Sequence, residues 1–147
     1  MNILIKELEN LKKFKEYVSD INKKISPIVL SGLSSVGKIQ LLEATKEFAD
    51  RNICIVTYNE LQAKKIYKDL KYFSGNVVYF SKREIASYDY VAESKDLPYE
   101  RIETLNKIFE QEKSAKKNEN RLIVITTIEA MMQKMISKEE VYKALLE

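Results

Sequence analysis

The 147 residues include no histidine. That single absence removes Ser-His and Cys-His nucleophilic catalysis and most zinc chemistry, since each needs an imidazole as base or ligand. Cysteine occurs once, at Cys54, so no disulfide framework can form within the chain. Its place in the run Ile53-Cys54-Ile55-Val56 reads as a small buried core residue rather than a nucleophile. Apolar runs long enough to span a membrane are absent. Residues 1–20 alternate lysine with glutamate instead of placing an apolar block after a charged start, which argues against a secretory signal and for a cytoplasmic protein without a membrane partner. An excess of one charge is also missing. The net charge is +3, with basic residues interspersed among acidic ones, so no basic stripe announces nucleic-acid binding. The four arginines, Arg51, Arg83, Arg101 and Arg121, are scattered along the sequence and give no cluster of interface anchors.

What is present is a regular alternation of helical and strand-like patterns. Leu8, Leu11, Phe14, Val18 and Ile21 recur at three- and four-residue steps and predict one amphipathic helix, with Glu9, Lys12, Lys13, Lys15 and Glu16 on its solvated face. Residues 1–26 are thus an N-terminal helix and linker. Pro27 opens a first predicted strand, Ile28 to Ser31. Leu41, Leu42, Phe48 and Ala49 mark the buried side of the next helix. A strand over Ile53 to Thr57 leads to Asn59, which has Gln62 three residues on, the spacing of a helix cap. Leu61, Ile66, Leu70 and Phe73 continue that helix to Gly75, read as a left-handed stop. Val77 to Phe80 forms a third strand.

After a loop over Ser81 to Leu97, Pro98 suits a helix first turn, with Ile102, Leu105, Ile108 and Phe109 on the buried side. Gln111 to Asn120 reads as a solvated helix end and a connection. Leu122 to Ile125 is a continuous apolar strand of the kind buried in a parallel sheet. Thr126 with Glu129 predicts a cap for a helix holding Ile128, Met131, Met132 and Met135, the methionines as core filler. Ser137 with Glu140 caps a last helix that reaches Glu147 with no stop signal. The alternation predicts one α/β domain over 1–147, a parallel sheet with helices on both faces, and the missing stop signal makes the ending read as a cut, as in a truncated fragment of a larger protein.

Between the first predicted strand and its helix lies Gly32-Leu33-Ser34-Ser35-Val36-Gly37-Lys38-Ile39. Two glycines with four residues between them, followed by lysine, have the form of a phosphate-binding loop in a P-loop NTPase-like, helicase-type fold. Such a loop cradles phosphates with backbone N–H groups, and the residue after the lysine supplies a hydroxyl to Mg²⁺. Ile39 offers only carbon there. Val36 is β-branched and Ser35 stands where a third glycine would let backbone approach a phosphate. Gly32, Ser34, Ser35, Gly37, Lys38 and Ile39 are therefore the candidate cofactor-binding positions of a degenerate loop with no cofactor expected. No catalytic residue and no metal ligand is expected elsewhere.

Three stretches in order carry a resemblance to the amino-terminal region of bacterial transcription-repair coupling factor, a region that is in turn similar to the excinuclease B component. They are Ser31-Gly32-Leu33-Ser34-Ser35; then Thr57-Tyr58-Asn59-Glu60-Leu61-Gln62-Ala63 with Tyr67, Leu70 and Phe73; then Ser87-Tyr88-Asp89-Tyr90 with Asp96, Arg101, Leu105 and the strand Leu122 to Ile125. The excinuclease B component shares the second and third stretches but would carry Thr at position 39 and a long hairpin insertion after Tyr90. The resemblance implies a non-catalytic scaffold domain of an ATP-dependent DNA translocase that displaces stalled RNA polymerase and recruits the excinuclease A component for nucleotide excision repair. It places the Mg-ATP-dependent motor downstream, the double-stranded DNA and polymerase contacts in the full-length protein, and the contact with the excinuclease A component mainly in a following domain.

The alternative is a fragment of an active ATP-dependent helicase of the excinuclease B type. A free-standing P-loop enzyme is a third reading, disfavoured because no acidic metal-holding residue follows Leu122 to Ile125. Tyr88, Asp89 and Tyr90 could stack on unpaired bases, but Asp89 would repel phosphates, and half-buried loop anchors are the simpler reading.

Overall fold

The computed structural model describes residues 3–49, 51–83, 96–113 and 121–144. Their elements in chain order are α1 (Ile3–Glu9), α2 (Lys12–Asn22), α3 (Ser35–Phe48), β1 (Ile53–Thr57), α4 (Glu60–Phe73), β2 (Val77–Phe80), α5 (Asp96–Lys113), β3 (Ile123–Thr127), α6 (Ile128–Met132) and α7 (Lys138–Ala144). The three strands form one parallel sheet in the order β1-β3-β2. Ile123 stands opposite both Ile53 and Val77, so the last strand inserts between the first two. Being paired on both edges and covered on both faces, β3 must be apolar throughout its first half, and Ile123 and Ile125 are fully buried.

Alternate side chains of the strands divide the core into two layers. Ile53, Ile55, Val77, Tyr79, Ile123 and Ile125 meet Ile39 and Leu42 of α3 and Ala63, Ile66, Tyr67 and Leu70 of α4. On the opposite face Phe80 and Val124 pack with Ile102, Leu105 and Phe109 of α5, Ala130 of α6 and Val141 of α7. Helices thus cover both faces, as the sequence pattern predicts. A third cluster joins Ile5 and Leu8 of α1, Phe14, Tyr17 and Val18 of α2, and Leu41, Ala44 and Phe48 of α3. The second face is thinly covered over β1, where Cys54 and Val56 are exposed.

Capping follows the sequence signals closely. Asn59 Oδ1 accepts from the Gln62 amide at 2.8 Å. Ser137 and Glu140 satisfy each other's backbone N–H groups at 3.3 and 2.8 Å, a complete reciprocal cap. A long-range device seals the other end of α3. Nη1 of Arg121 donates to the carbonyls of Lys46 at 2.8 Å and Glu47 at 3.2 Å and also to that of Ala49. These are terminal carbonyls without intrahelical partners, and a guanidinium placed there also faces the negative end of the helix dipole.

Several expectations are corrected. Ile28 to Ser31 is not a strand: Val29 is 85% exposed and the segment joins no sheet. Pro27 before it has no N–H to donate, and Gly32 after it, at φ 77°, turns the chain. The N-terminal helix is two helices broken at Asn10–Leu11, leaving Leu11 exposed instead of on a continuous apolar face. The cap of α6 is Thr127, whose hydroxyl accepts from Ala130 at 3.2 Å, one residue later than expected, because β3 runs on to Thr127. Its methionines are not core: Met132 is 83% exposed, and Met131 and Met135 are exposed too, since α6 ends after five residues and buries only Ala130. Gly75 does not adopt a left-handed stop, for α4 ends at Ser74 in extended conformation. The connection over 114–120 lies outside the described residues.

Replacing Arg121 by Met keeps the aliphatic stem and removes the donors to the end of α3. Chemical denaturation of this variant is expected to show a loss of about 1–3 kcal/mol; an unchanged midpoint would show that solvent satisfies these carbonyls equally well.

Candidate functional site

The six loop positions lie at the amino end of α3. Gly32 takes the left-handed conformation at φ 77°, and from Ser35 onward the chain is helical. The helix therefore begins three residues before Lys38 and takes in Ser35, Val36 and Gly37. Ser34 is its N-cap: its side-chain oxygen accepts from the Gly37 amide at 3.1 Å, and its carbonyl accepts from the Lys38 amide at 2.9 Å. Two N–H groups that an open phosphate loop would offer to a ligand are thus bonded to Ser34. A Cβ on Gly37 would come within 3.3 Å of the Ser34 oxygen, so the cap itself favours glycine there.

Ile39 points the other way. It is 5% exposed and belongs to the cluster with Ala63, Leu70, Val77, Ile123 and Ile125. The position that would hold a metal-binding hydroxyl is a core position in this fold, whereas Lys38 beside it is exposed. Ser35 and Val36 are exposed as well. The structure brings Ser34, Gly37 and Lys38 together through the cap and separates Ile39 from them.

The carboxyl end of β3, where an acidic partner would be sought, carries Thr126 and Thr127. Thr126 Oγ1 donates to the Phe80 carbonyl at 3.0 Å, and Thr127 caps α6. Thr57 at the end of β1 reaches the carbonyls of Asn59 at 2.8 Å and Thr126 at 3.3 Å. These hydroxyls tie the three strand ends together. Among the described residues, no group of three or more acidic or sulfur side chains is arranged to hold a metal ion.

The stretch Thr57 to Ala63 has a structural role: strand-end bond, helix cap and the fully buried Ala63. Farther along α4, Tyr67 lies beside Tyr79, with ring centroids 6.0 Å apart. Tyr79 donates to Glu60 at 3.2 Å, and burial, with the Glu60 carboxylate beside it, pushes its phenol well above the usual range. Phe73, expected on the buried side of α4, is exposed, as is Leu61. Tyr88, Asp89 and Tyr90 lie outside the described residues. Cys54 is exposed, not buried as expected, because the described residues cover its face of β1 only thinly. Partial burial among its neighbours still raises its thiol above the ordinary value, which keeps it a poor nucleophile.

One group escaped the sequence pattern. The Arg83 backbone and the Arg101 side chain, 18 positions apart, both bind Gln133 beyond the carboxyl end of β2. The only hint in the sequence is an arginine directly before the apolar positions of α5.

No family model, curated protein or solved structure matches the chain.

Ile39→Thr would put a hydroxyl in the core. Its expected effect is a destabilisation of about 1–3 kcal/mol by denaturant titration, with no gain of ATP hydrolysis. Turnover in this variant would mean that the side chain can leave the core and reach a metal.

Proposed function

We propose that the chain is a non-catalytic scaffold domain of the transcription-repair coupling factor type, related to the amino-terminal region of a translocase that removes stalled RNA polymerase and recruits the excinuclease A component. The sequence resemblance supplies the family. The non-catalytic part rests on one observation: the side chain at the metal-ligand position of the loop lies in the core, 5% exposed, against the sheet and α4.

Without a hydroxyl there, Mg²⁺ loses the protein ligand that positions it between phosphates, and its charge neutralisation is the larger part of phosphoryl-transfer catalysis. The capped amides of Gly37 and Lys38 act in the same direction. In this reading the phosphate loop has become a helix start that holds α3 on the sheet. ATP, Mg²⁺ and double-stranded DNA then belong to a motor elsewhere in the full-length protein, and the contact with the excinuclease A component belongs mainly to a following domain. No helix among the described residues is long and apolar enough to cross a membrane.

Calorimetry with Mg-ATP is expected to show no binding at micromolar nucleotide and no turnover. Micromolar affinity with hydrolysis would replace the scaffold reading by the active helicase of the excinuclease B type. The immobilised excinuclease A component is expected to retain a longer chain that includes the following domain at least about tenfold more tightly than residues 1–147, since clustered aromatic and arginine anchors dominate interface energy. Equal retention would move the contact onto residues 1–147 themselves.

A further inference from the structure

α4 is held on the sheet by one side only. Ala63, Ile66, Tyr67 and Leu70 pack into the core, and the side turned away carries Leu61, Lys64, Lys65, Lys68, Lys71 and Tyr72. Leu61 is 81% exposed and Tyr72 is 86% exposed, so two large apolar side chains stand almost free of the protein. The Tyr72 ring meets that of Phe73 edge-on, with centroids 5.4 Å apart, and Phe73 is itself exposed. Leu61, Lys65, Lys68 and Tyr72 follow one another at steps of four, three and four residues. They therefore form one ridge along the helix, three turns or about 16 Å long.

The charge on this ridge is of one sign. On other helices exposed lysines are paired along the surface, Lys12 with Glu16 on α2 and Lys107 with Glu103 on α5. On α4 it is Lys64 that is so paired, 3.2 Å from Glu60. Lys71 lies over the Tyr67 ring, its Nζ 5.3 Å from the centroid. Among the described residues Lys65 and Lys68 form no ion pair, and the half-buried Asp69, four residues after Lys65, does not reach it. Lys68 has Lys64, Lys65 and Lys71 as like-charge neighbours at three- and four-residue spacing, which weakens a helix. A helix that carries this repulsion beside exposed apolar anchors gains from a partner that brings both negative charge and apolar surface.

We propose that the outer face of α4 docks an acidic amphipathic helix of a partner protein. The spacing of the ridge is that of a helix–helix seam. It sets apolar side chains of the partner against Leu61 and Tyr72, and carboxylates against Lys65 and Lys68, with Lys64 and Lys71 at the flank. A second copy using the same face would place lysine against lysine. A nucleic acid strand would satisfy the lysines but leave Leu61 without an apolar contact, and a convex ridge offers no groove for a phosphate backbone to follow. The face shares no residue with the loop before α3, and the proposal does not depend on the scaffold reading.

The probe is a synthetic helix of about three heptads, with leucines facing Leu61 and Tyr72 and glutamates facing Lys65 and Lys68, added to the isotopically labelled chain while backbone amides are followed by NMR. Saturable shifts centred on residues 61–73 are expected, with an affinity that falls as salt is raised. Lys65→Glu combined with Lys68→Glu, both at exposed positions, should weaken binding at least about tenfold. A version of the peptide with lysine in place of glutamate should bind that double variant and not the original chain. Failure of the acidic helix to shift these amides saturably, or equal binding by the double variant, overturns the proposal. Tighter binding of a single-stranded oligothymidylate at the same residues also overturns it and assigns the face to a nucleic acid strand.

Discussion

The burial of Ile39 between the sheet and α4 is the constraint from which the rest of the molecule follows. Fully burying an isoleucine is worth about 1.5–3 kcal/mol relative to leaving it exposed, and here the burial sits in the first turn but one of α3. It fixes how that helix lies on the sheet, and α3 in turn carries the α1–α2 pair on its outer side through Leu41, Ala44 and Phe48. The loop before it is then free to close on itself, and Ser34 caps the helix with its own oxygens. A phosphate loop needs its amides open and an oxygen after the lysine. This helix start has bonded amides and a hydrocarbon in the core.

Much of this was legible in the sequence because it is local or strongly periodic. The runs Ile53 to Thr57 and Val77 to Phe80 appear as strands with those bounds. The caps at Asn59 and at Ser137 with Glu140 are set by short-range hydrogen bonds whose spacing is fixed. Ile39 could be identified as unable to ligate a metal. That it is a core residue could not, since the pattern of α3 alone does not say which side faces the sheet.

The failures have a common origin in what periodicity omits. Ile28 to Leu30 is as apolar as a strand, yet a strand needs a neighbour, and this segment pairs with none of β1, β2 and β3. Cys54 sits in an apolar run, but it belongs to the face of β1 that the described residues cover only thinly. Met131 and Met132 follow a helical spacing that lasts only five residues. Arg83 and Arg101 look unrelated along the chain and come to share Gln133 only because α5 folds back over Phe80. Each error concerns a partner far away in sequence, which a local pattern cannot supply.

The most direct test of the account is hydrogen exchange at the amides of Gly37 and Lys38, followed residue by residue with and without Mg-ATP. The self-capped helix start predicts that both exchange slowly in the free protein, more slowly than Ser35 and Val36, and that millimolar Mg-ATP leaves them unchanged. Fast exchange in the free protein that becomes slow on adding Mg-ATP would show those amides open and waiting for phosphate, and would contradict it.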